Sequence, residues 1–320
     1  MCGQVGGRPS NCSEEHLPQR LAPNPGSPID QDLREGDATS KLTHYPTFGC
    51  RHLPGKLGPM PVKVTVPQLR SMKLRSEKIV CVTAYDAYFG RLTDEAGVDL
   101  VLVGDSLGNV LLGYETTIPV SLETMIHHTA ATRRGVKRAM LVADMPFGSY
   151  QSSISQCVDS AVALMKAGAE GVKLEGEFFD EVAALVKAGI PVMGHLGMTP
   201  QSVNKFGGHK VQGKGAAGRN VVEAAKRLEE AGVFSIVLEL VPAELASDVT
   251  AEVGIPTIGI GAGQCCDGQV QVMHDLLGLS NQQFKHAKRF LDGERLMLEG
   301  LKEYAASVRN VSFPAKEHSF

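Results

Sequence analysis

No polybasic tract appears in the 320 residues: 32 Lys and Arg are scattered among 35 Asp and Glu, for a net charge of -3. That balance gives no case for a nucleic-acid partner. No apolar run approaches the roughly 18 residues needed to cross a bilayer. The seven cysteines, Cys2, Cys12, Cys50, Cys81, Cys157, Cys265 and Cys266, are odd in number and show no CxxC spacing. No secretory signal precedes them, so free thiols in a reducing, cytoplasmic compartment are expected. The adjacent pair Cys265 and Cys266 matches no zinc-site spacing. What is present, 43 % hydrophobic and 21 % charged residues, suits a soluble globular protein with room for one large domain or two ordinary ones.

Residues 1–60 differ from the rest. They hold eight of the seventeen prolines, in clusters such as Pro23-Asn24-Pro25-Gly26-Ser27-Pro28, and show no sustained helical or strand period. They make a poor transit peptide, because Glu14, Glu15, Asp30, Asp32, Glu35 and Asp37 interrupt them. They are expected to be a disordered, dispensable extension, for which an over-long gene start is one origin. The folded, catalytic part is expected to be residues 61–320.

From Val62 the texture becomes regular. Val101-Leu102-Val103-Gly104-Asp105-Ser106 reads as a buried strand running into a tight polar turn. The pattern recurs as Met140-Leu141-Val142-Ala143-Asp144, Gly171-Val172-Lys173-Leu174-Glu175 and Ser235-Ile236-Val237-Leu238-Glu239. Strands are expected near 79–83, 99–103, 139–143, 171–174, 190–194, 235–238, 256–260 and 269–273. Helices are expected near 66–72, 86–96, 121–134, 154–167, 178–188, 219–231 and 242–252, commonly closed by glycine. A long Gly- and Lys-rich connection, 196–217, interrupts the alternation. Continuous apolar strands imply a parallel sheet covered on both faces, and the length fits a (β/α)8 TIM barrel. A doubly wound open sheet is the runner-up, weakened by the absence of GxGxxG after the first strand.

A barrel opens all strand C-termini onto one face, which would bring Asp105, Asp144, Glu175 and Glu239 together. Burying a carboxylate without a partner is costly, so converging acids point to a cation, a substrate or both. Asp105 and Asp144 on neighbouring strands suit Mg²⁺, with Glu175 bound directly or through water. Capping of the following helices, or pairing with Lys173, is the plainer alternative for each. Ser106 offers a hydroxyl and an N–H to a substrate carboxylate, or merely stabilises its turn. Lys173, two residues before Glu175, points the same way on an extended strand and suits a bound anion or an ion pair. Glu239, between Leu238 and Leu240, has the apolar collar of a general base, or is a salt-bridged acid. His195 suits a ligand, a proton donor or a satisfied packing residue, the last being the plainest reading of a lone histidine. The flexible, basic stretch Phe206–Lys214 suits an anionic or large second substrate, or a lid. Ile258-Gly259-Ile260-Gly261-Ala262-Gly263 brings bare backbone to the mouth.

Several of these stretches resemble the ketopantoate hydroxymethyltransferase family. They are Thr83-Ala84-Tyr85-Asp86, Val103-Gly104-Asp105-Ser106-Leu107-Gly108, Ala143-Asp144-Met145-Pro146-Phe147 and Val172-Lys173-Leu174-Glu175-Gly176. To these are added Gly194-His195-Leu196-Gly197-Met198-Thr199-Pro200-Gln201-Ser202, Gly259-Ile260-Gly261-Ala262-Gly263 and the closing Glu317-His318-Ser319-Phe320. The resemblance runs from about residue 62 to the C-terminus. It implies a (β/α)8 barrel in a large homo-oligomer, such as a decamer, that uses Mg²⁺ and transfers a hydroxymethyl group from 5,10-methylenetetrahydrofolate to 3-methyl-2-oxobutanoate. The product would be 2-dehydropantoate, for pantothenate synthesis. Carried over by motif, Asp105, Asp144 and Glu175 resemble the metal site, and Asp105, Ser106, Asp144 and Lys173 the keto-acid contacts. Glu239 resembles the proton acceptor. The implied chemistry is loss of the C3 proton to Glu239, with Mg²⁺ stabilising the enolate. Two other readings stand beside it: a Mg²⁺-dependent oxo-acid lyase or mutase of the phosphoenolpyruvate mutase and isocitrate lyase type, and a non-catalytic keto-acid-binding barrel.

Overall fold

Eight strands run parallel: β1 (Ile79–Thr83), β2 (Leu100–Val103), β3 (Met140–Asp144), β4 (Gly171–Lys173), β5 (Val192–Gly197), β6 (Ser235–Glu239), β7 (Thr257–Ile260) and β8 (Gly268–Gln271). The structure is a computed structural model that describes residues 62–280 and 284–320. The N-terminal extension expected at residues 1–60 lies outside the described residues. Each strand pairs in parallel with the next, and β8 returns to β1 with Ile79 opposite Gly268. The sheet closes into a barrel, and the open doubly wound alternative is set aside.

The helices are α1 (Val66–Leu74), α2 (Ala87–Glu95), α3 (Leu107–Val110), α4 (Leu122–Gly135), α5 (Ile154–Lys166), α6 (Phe179–Lys187), α7 (Val203–Phe206), α8 (Gly218–Ala231), α9 (Ala243–Glu252), α10 (Met273–Leu276) and α11 (Gly293–Arg309). Local chemistry sets their ends. Asp86 accepts a hydrogen bond from the N–H of Phe89 at 2.8 Å to start α2, and Ser121 one from Thr124 at 3.2 Å to start α4. Gly97 and Gly232, at φ of 84° and 101°, follow α2 and α8 in a conformation that costs other residues about 1–2 kcal/mol.

The strands look uniformly apolar because alternate residues serve two different cores. Cys81, Leu100, Leu102, Met140, Val142, Met193 and Val237 fill the barrel interior, joined by Leu69 of α1. Val82, Val101, Val103, Leu141, Ala143, Val172, Ile236 and Leu238 pack outward against the helices. Each such side chain stabilises the fold by about 1.5–3 kcal/mol when fully buried. The inward series continues past the apolar layer. Met140 and Val142 lead to Asp144, Met193 leads to His195, and Val237 leads to Glu239. Strand parity thus delivers the polar groups into the mouth.

Three expectations are corrected. The fifth strand begins and ends later than residues 190–194, running to Gly197, because β5 pairs with β6 as far as Gly197 opposite Glu239. His195 therefore lies within a strand. The connection expected over 196–217 accordingly begins with strand and contains α7 and two short 3₁₀ turns. Beyond residue 273, where no element is expected, lie α10 and the 17-residue α11.

Candidate active site

At the C-terminal ends of the strands a cavity of about 550 Å³ is lined by Asp105, Ser106, Asp144, Lys173, Glu175, His195 and Glu239. All six site residues expected from the sequence (Asp105, Ser106, Asp144, Lys173, Glu175 and Glu239) reach it. His195 joins them. The turn after β2 positions the first pair of groups. A Cβ on Gly104 would stand 2.8 Å from Ser106 Oγ and 3.6 Å from Asp144 Oδ2, so the close approach of β2 to β3 requires glycine. Through that approach the N–H of Asp105 donates to Asp144 Oδ2 at 3.0 Å. Ser106 Oγ lies 3.0 Å from the hydroxyl of Tyr85.

Lys173 Nζ lies 2.9 Å from Asp144 Oδ1 and 4.0 Å from Glu175 Oε1, with both partners and itself buried. The ion-pair alternative for Lys173 is therefore realised with Asp144. Helix capping by the acids is not, since α3, α6 and α9 begin without a side-chain cap and α5 is capped by Ser153. Gln201, not among the expected site residues, organises the acids. Its Nε2 donates to Asp105 Oδ2 at 2.8 Å and to the carbonyl of Met145 at 2.9 Å. Its N–H donates to Glu175 Oε2 at 2.9 Å, while its Oε1 accepts from the Tyr150 hydroxyl at 2.7 Å. Gln201 follows a Thr-Pro turn, and no periodicity marks it.

His195 is no mere packing residue. Its Nδ1 lies 3.4 Å from Glu175 Oε1 and its Nε2 3.4 Å from Glu239 Oε2, so the imidazole spans the two carboxylates. Burial works against the charged ring, but Glu175 and Glu239 outweigh it and raise the pKa to about 9. Because this lies above the ordinary value of 6.5, protonation stabilises the fold. The contribution is complete below about pH 6.5 and is lost as pH rises through about 9. The melting-temperature advantage of the wild type over His195→Gln should shrink between pH 6.5 and 9.5. An advantage that does not vary over that window would count against a charged His195.

Four carboxylates, Asp105, Asp144, Glu175 and Glu239, thus face two cations, Lys173 and His195. Burial, together with the charges of Asp144 and Glu175, pushes the Asp105 carboxyl well above its usual range. A deficit of two positive charges beside oxygen donors fits a hard divalent cation, which would displace the proton from Asp105. Among the described residues no three His, Cys, Asp or Glu side chains are grouped closely enough to cage an ion. Mg²⁺ asks for less, since one or two carboxylates plus substrate and water commonly hold it.

The basic connection also reaches the mouth, where His209 lines the cavity. Gly261 takes φ of 64°, and a Cβ there would meet Leu240 Cδ2 at 2.7 Å, which accounts for the glycine by close approach. Cys265 and Cys266 are free thiols, the first exposed and the second buried.

A closed parallel barrel with ionisable side chains gathered at its C-terminal mouth defines a (β/α)8-barrel enzyme. The profile of the ketopantoate hydroxymethyltransferase family matches residues 63–316. The chain belongs to that family, and it is an enzyme of the one-carbon transferase type. It is 53% identical over 257 residues to the 3-methyl-2-oxobutanoate hydroxymethyltransferase of Ignicoccus hospitalis, spanning 79% of this chain and 98% of that one. The protein of the same name from Thermotoga maritima is 52% identical over 262 residues, spanning 80% and 96%. Solved structures of similar fold include the phosphoenolpyruvate phosphomutase of Streptomyces platensis subsp. rosaceus, with a TM-score of 0.53 at 12% identity over 77% of this chain and 88% of that one. A phosphonopyruvate hydrolase gives a TM-score of 0.51 at 13% identity over 79% and 92%. At such identities the likeness is one of fold alone.

Proposed function

We propose that the chain transfers a hydroxymethyl group from 5,10-methylenetetrahydrofolate to 3-methyl-2-oxobutanoate, giving 2-dehydropantoate for pantothenate synthesis, in a Mg²⁺-dependent reaction. Family membership and identity above half across nearly the whole length of relatives named for this reaction support it. The observation that carries it is the presence in one cavity of a pair of acids on neighbouring strands, Asp105 and Asp144, and of a separate carboxylate, Glu239, beside His195.

Asp105 and Asp144 would hold Mg²⁺. Glu175, engaged by His195 and the N–H of Gln201, would act through a water. Bound there, the ion supplies a Lewis acid for the keto oxygen. The chain's own groups do the rest. Lys173 offsets the charge of the substrate carboxylate, and Ser106 donates its hydroxyl hydrogen to it. Glu239 takes the proton from C3, and His195 keeps the receiving oxygen in place. The C3 carbon, left with the electron pair of its lost proton, then bonds to the one-carbon unit of the folate; the two C–N bonds of that unit break, a water supplies the hydroxyl group, and the nitrogens take up the protons as tetrahydrofolate leaves. Product formation from the two substrates is expected to stop when Mg²⁺ is chelated and in a blank without folate. Turnover of the keto acid without folate would instead favour the lyase or mutase reading.

A homo-oligomer is part of the same proposal. Helix α11 leaves Met297, Leu301 and Tyr304 56%, 67% and 59% exposed, an apolar face suited to burial against another copy. Sedimentation as a monomer at micromolar concentration would overturn that.

A further inference from the structure

The acids at the ends of β2, β3 and β4 offer a cation fewer oxygens than their number suggests. Asp144 Oδ2 accepts from the N–H of Asp105 at 3.0 Å, and its Oδ1 faces the Lys173 ammonium at 2.9 Å. Glu175 Oε2 accepts from the N–H of Gln201 at 2.9 Å, and its Oε1 lies 3.4 Å from His195 Nδ1. Asp105 Oδ2 accepts from Gln201 Nε2 at 2.8 Å. Among the described residues, Asp105 Oδ1 is the one oxygen of the three carboxylates that no hydrogen bond or ion pair engages.

Gln201 is itself held. It is buried and is not among the residues that line the cavity. The carbonyl of Met145 can only accept, and it takes a hydrogen from Nε2 at 2.9 Å. At the other end of the amide, Oε1 accepts from the Tyr150 hydroxyl at 2.7 Å and from Gln151 Nε2 at 3.4 Å. The N–H of Glu175 donates to the same hydroxyl at 3.2 Å, so the tyrosine has its own hydrogen to give. Tyr150 is buried and stands edge-on to Phe178, with ring centroids 5.1 Å apart. The amide therefore has one orientation, with its NH₂ end turned to Asp105. An apolar side chain would fill this space without desolvating an amide; what glutamine adds is the grip on Oδ2.

That grip bears on which ion fits. Ca²⁺ takes about six to eight oxygens and readily accepts both oxygens of one carboxylate. Mg²⁺ is smaller, keeps several of its waters and is held by one or two carboxylates. A carboxylate clamped through one oxygen presents the other alone. We propose that Gln201, oriented by Tyr150, is a specificity-determining residue that keeps Asp105 a one-oxygen ligand and so favours Mg²⁺ over Ca²⁺. Both side chains act through Asp105, from behind the cavity wall. The inference rests on the reading above, in which Asp105 holds the metal.

The test is Gln201→Met, which keeps much of the volume and removes the clamp. Binding of Mg²⁺ and of Ca²⁺ to variant and wild type is measured by calorimetry, with the keto acid present and folate absent. Releasing Oδ2 also leaves more charge on Asp105, which tightens both divalent ions alike. The quantity to read is therefore the ratio of the two dissociation constants. The preference for Mg²⁺ over Ca²⁺ is expected to shrink at least about fivefold in Gln201→Met. Tyr150→Phe keeps the ring against Phe178 and removes the hydroxyl, so it should shift the ratio the same way by less. It carries the test alone if Gln201→Met does not fold. A lower melting temperature with an unchanged ratio makes Gln201 a packing residue and overturns the proposal. If the wild type binds neither ion, the metal reading itself fails. A wild type that prefers Mg²⁺, with variants that keep that preference, fails the clamp alone.

Discussion

Replacing Glu239 by glutamine is expected to lower kcat by about 10²–10⁴-fold and to abolish exchange of the C3 proton while the keto acid still binds. The expectation follows from where β6 ends. Val237 points into the barrel, so Glu239, two residues on, points into the mouth, and its side chain is 16% exposed. Its Oε2 meets His195 Nε2 at 3.4 Å, and the side chain stands apart from the Asp105–Asp144 pair on β2 and β3. Glutamine preserves length and one acceptor oxygen but cannot take a proton at neutral pH. The loss should therefore fall on the proton step. Transfer of deuterium from solvent to C3, followed by proton NMR of the keto acid, reads that step directly. Exchange at the wild-type rate in Glu239→Gln would remove the glutamate from the role and move attention to His195. A weaker keto-acid affinity with normal exchange would make Glu239 a binding group.

The features legible in the chain were those that repeat. Mostly apolar runs alternating with helices, many closed by glycine, were enough for a closed parallel barrel, because both of its cores take apolar residues at alternate positions. The strand-end acids were legible for the same reason: Asp144, Glu175 and Glu239 each end or follow such a run. His195 was misread because its significance lies in two partners, Glu175 and Glu239, that are 20 and 44 positions away in the sequence and meet it only through the β4–β5–β6 register. Gln201 escaped notice because an amide after a turn has no periodic signature, although its two ends tie Asp105, Glu175 and Tyr150 together. The end of β5 was misplaced because Gly194 and Gly197 read as turn residues. In the barrel Gly197 lies against β6, where a Cβ would come within 2.2 Å of the Glu239 carbonyl oxygen. Helix α11 was missed although Met297, Leu301 and Tyr304 recur at helical spacing in it; that stripe is exposed, and within the chain the helix buries only Gly293.

The largest loss of stability is expected from Lys173→Met. Lys173 is 4% exposed, and its ammonium stands 2.9 Å from Asp144 and 4.0 Å from Glu175, with Asp105 the further acid of the group. Burial opposes its charge, but Asp144, Glu175 and Asp105 raise its pKa well above the ordinary lysine value. Methionine keeps much of the volume and removes the charge, so the penalty is that of stranding buried carboxylates, about 3–5 kcal/mol. In a domain of this size that lowers the melting temperature by roughly 6–20 °C. Two comparisons separate charge from packing. Adding Asp144→Asn to Lys173→Met should recover part of the loss, because a neutral amide no longer needs the ammonium; simple additivity of the two substitutions would contradict that. Mg²⁺ should also raise the melting temperature of Lys173→Met more than that of the wild type. Stabilisation by a bound ion grows with its affinity, and a site stripped of its lysine attracts a divalent cation more strongly. A variant that melts like the wild type, or one indifferent to Mg²⁺, would mean that Asp105 and Asp144 are not short of positive charge, and the case for a cation at the mouth of the barrel would fall with it.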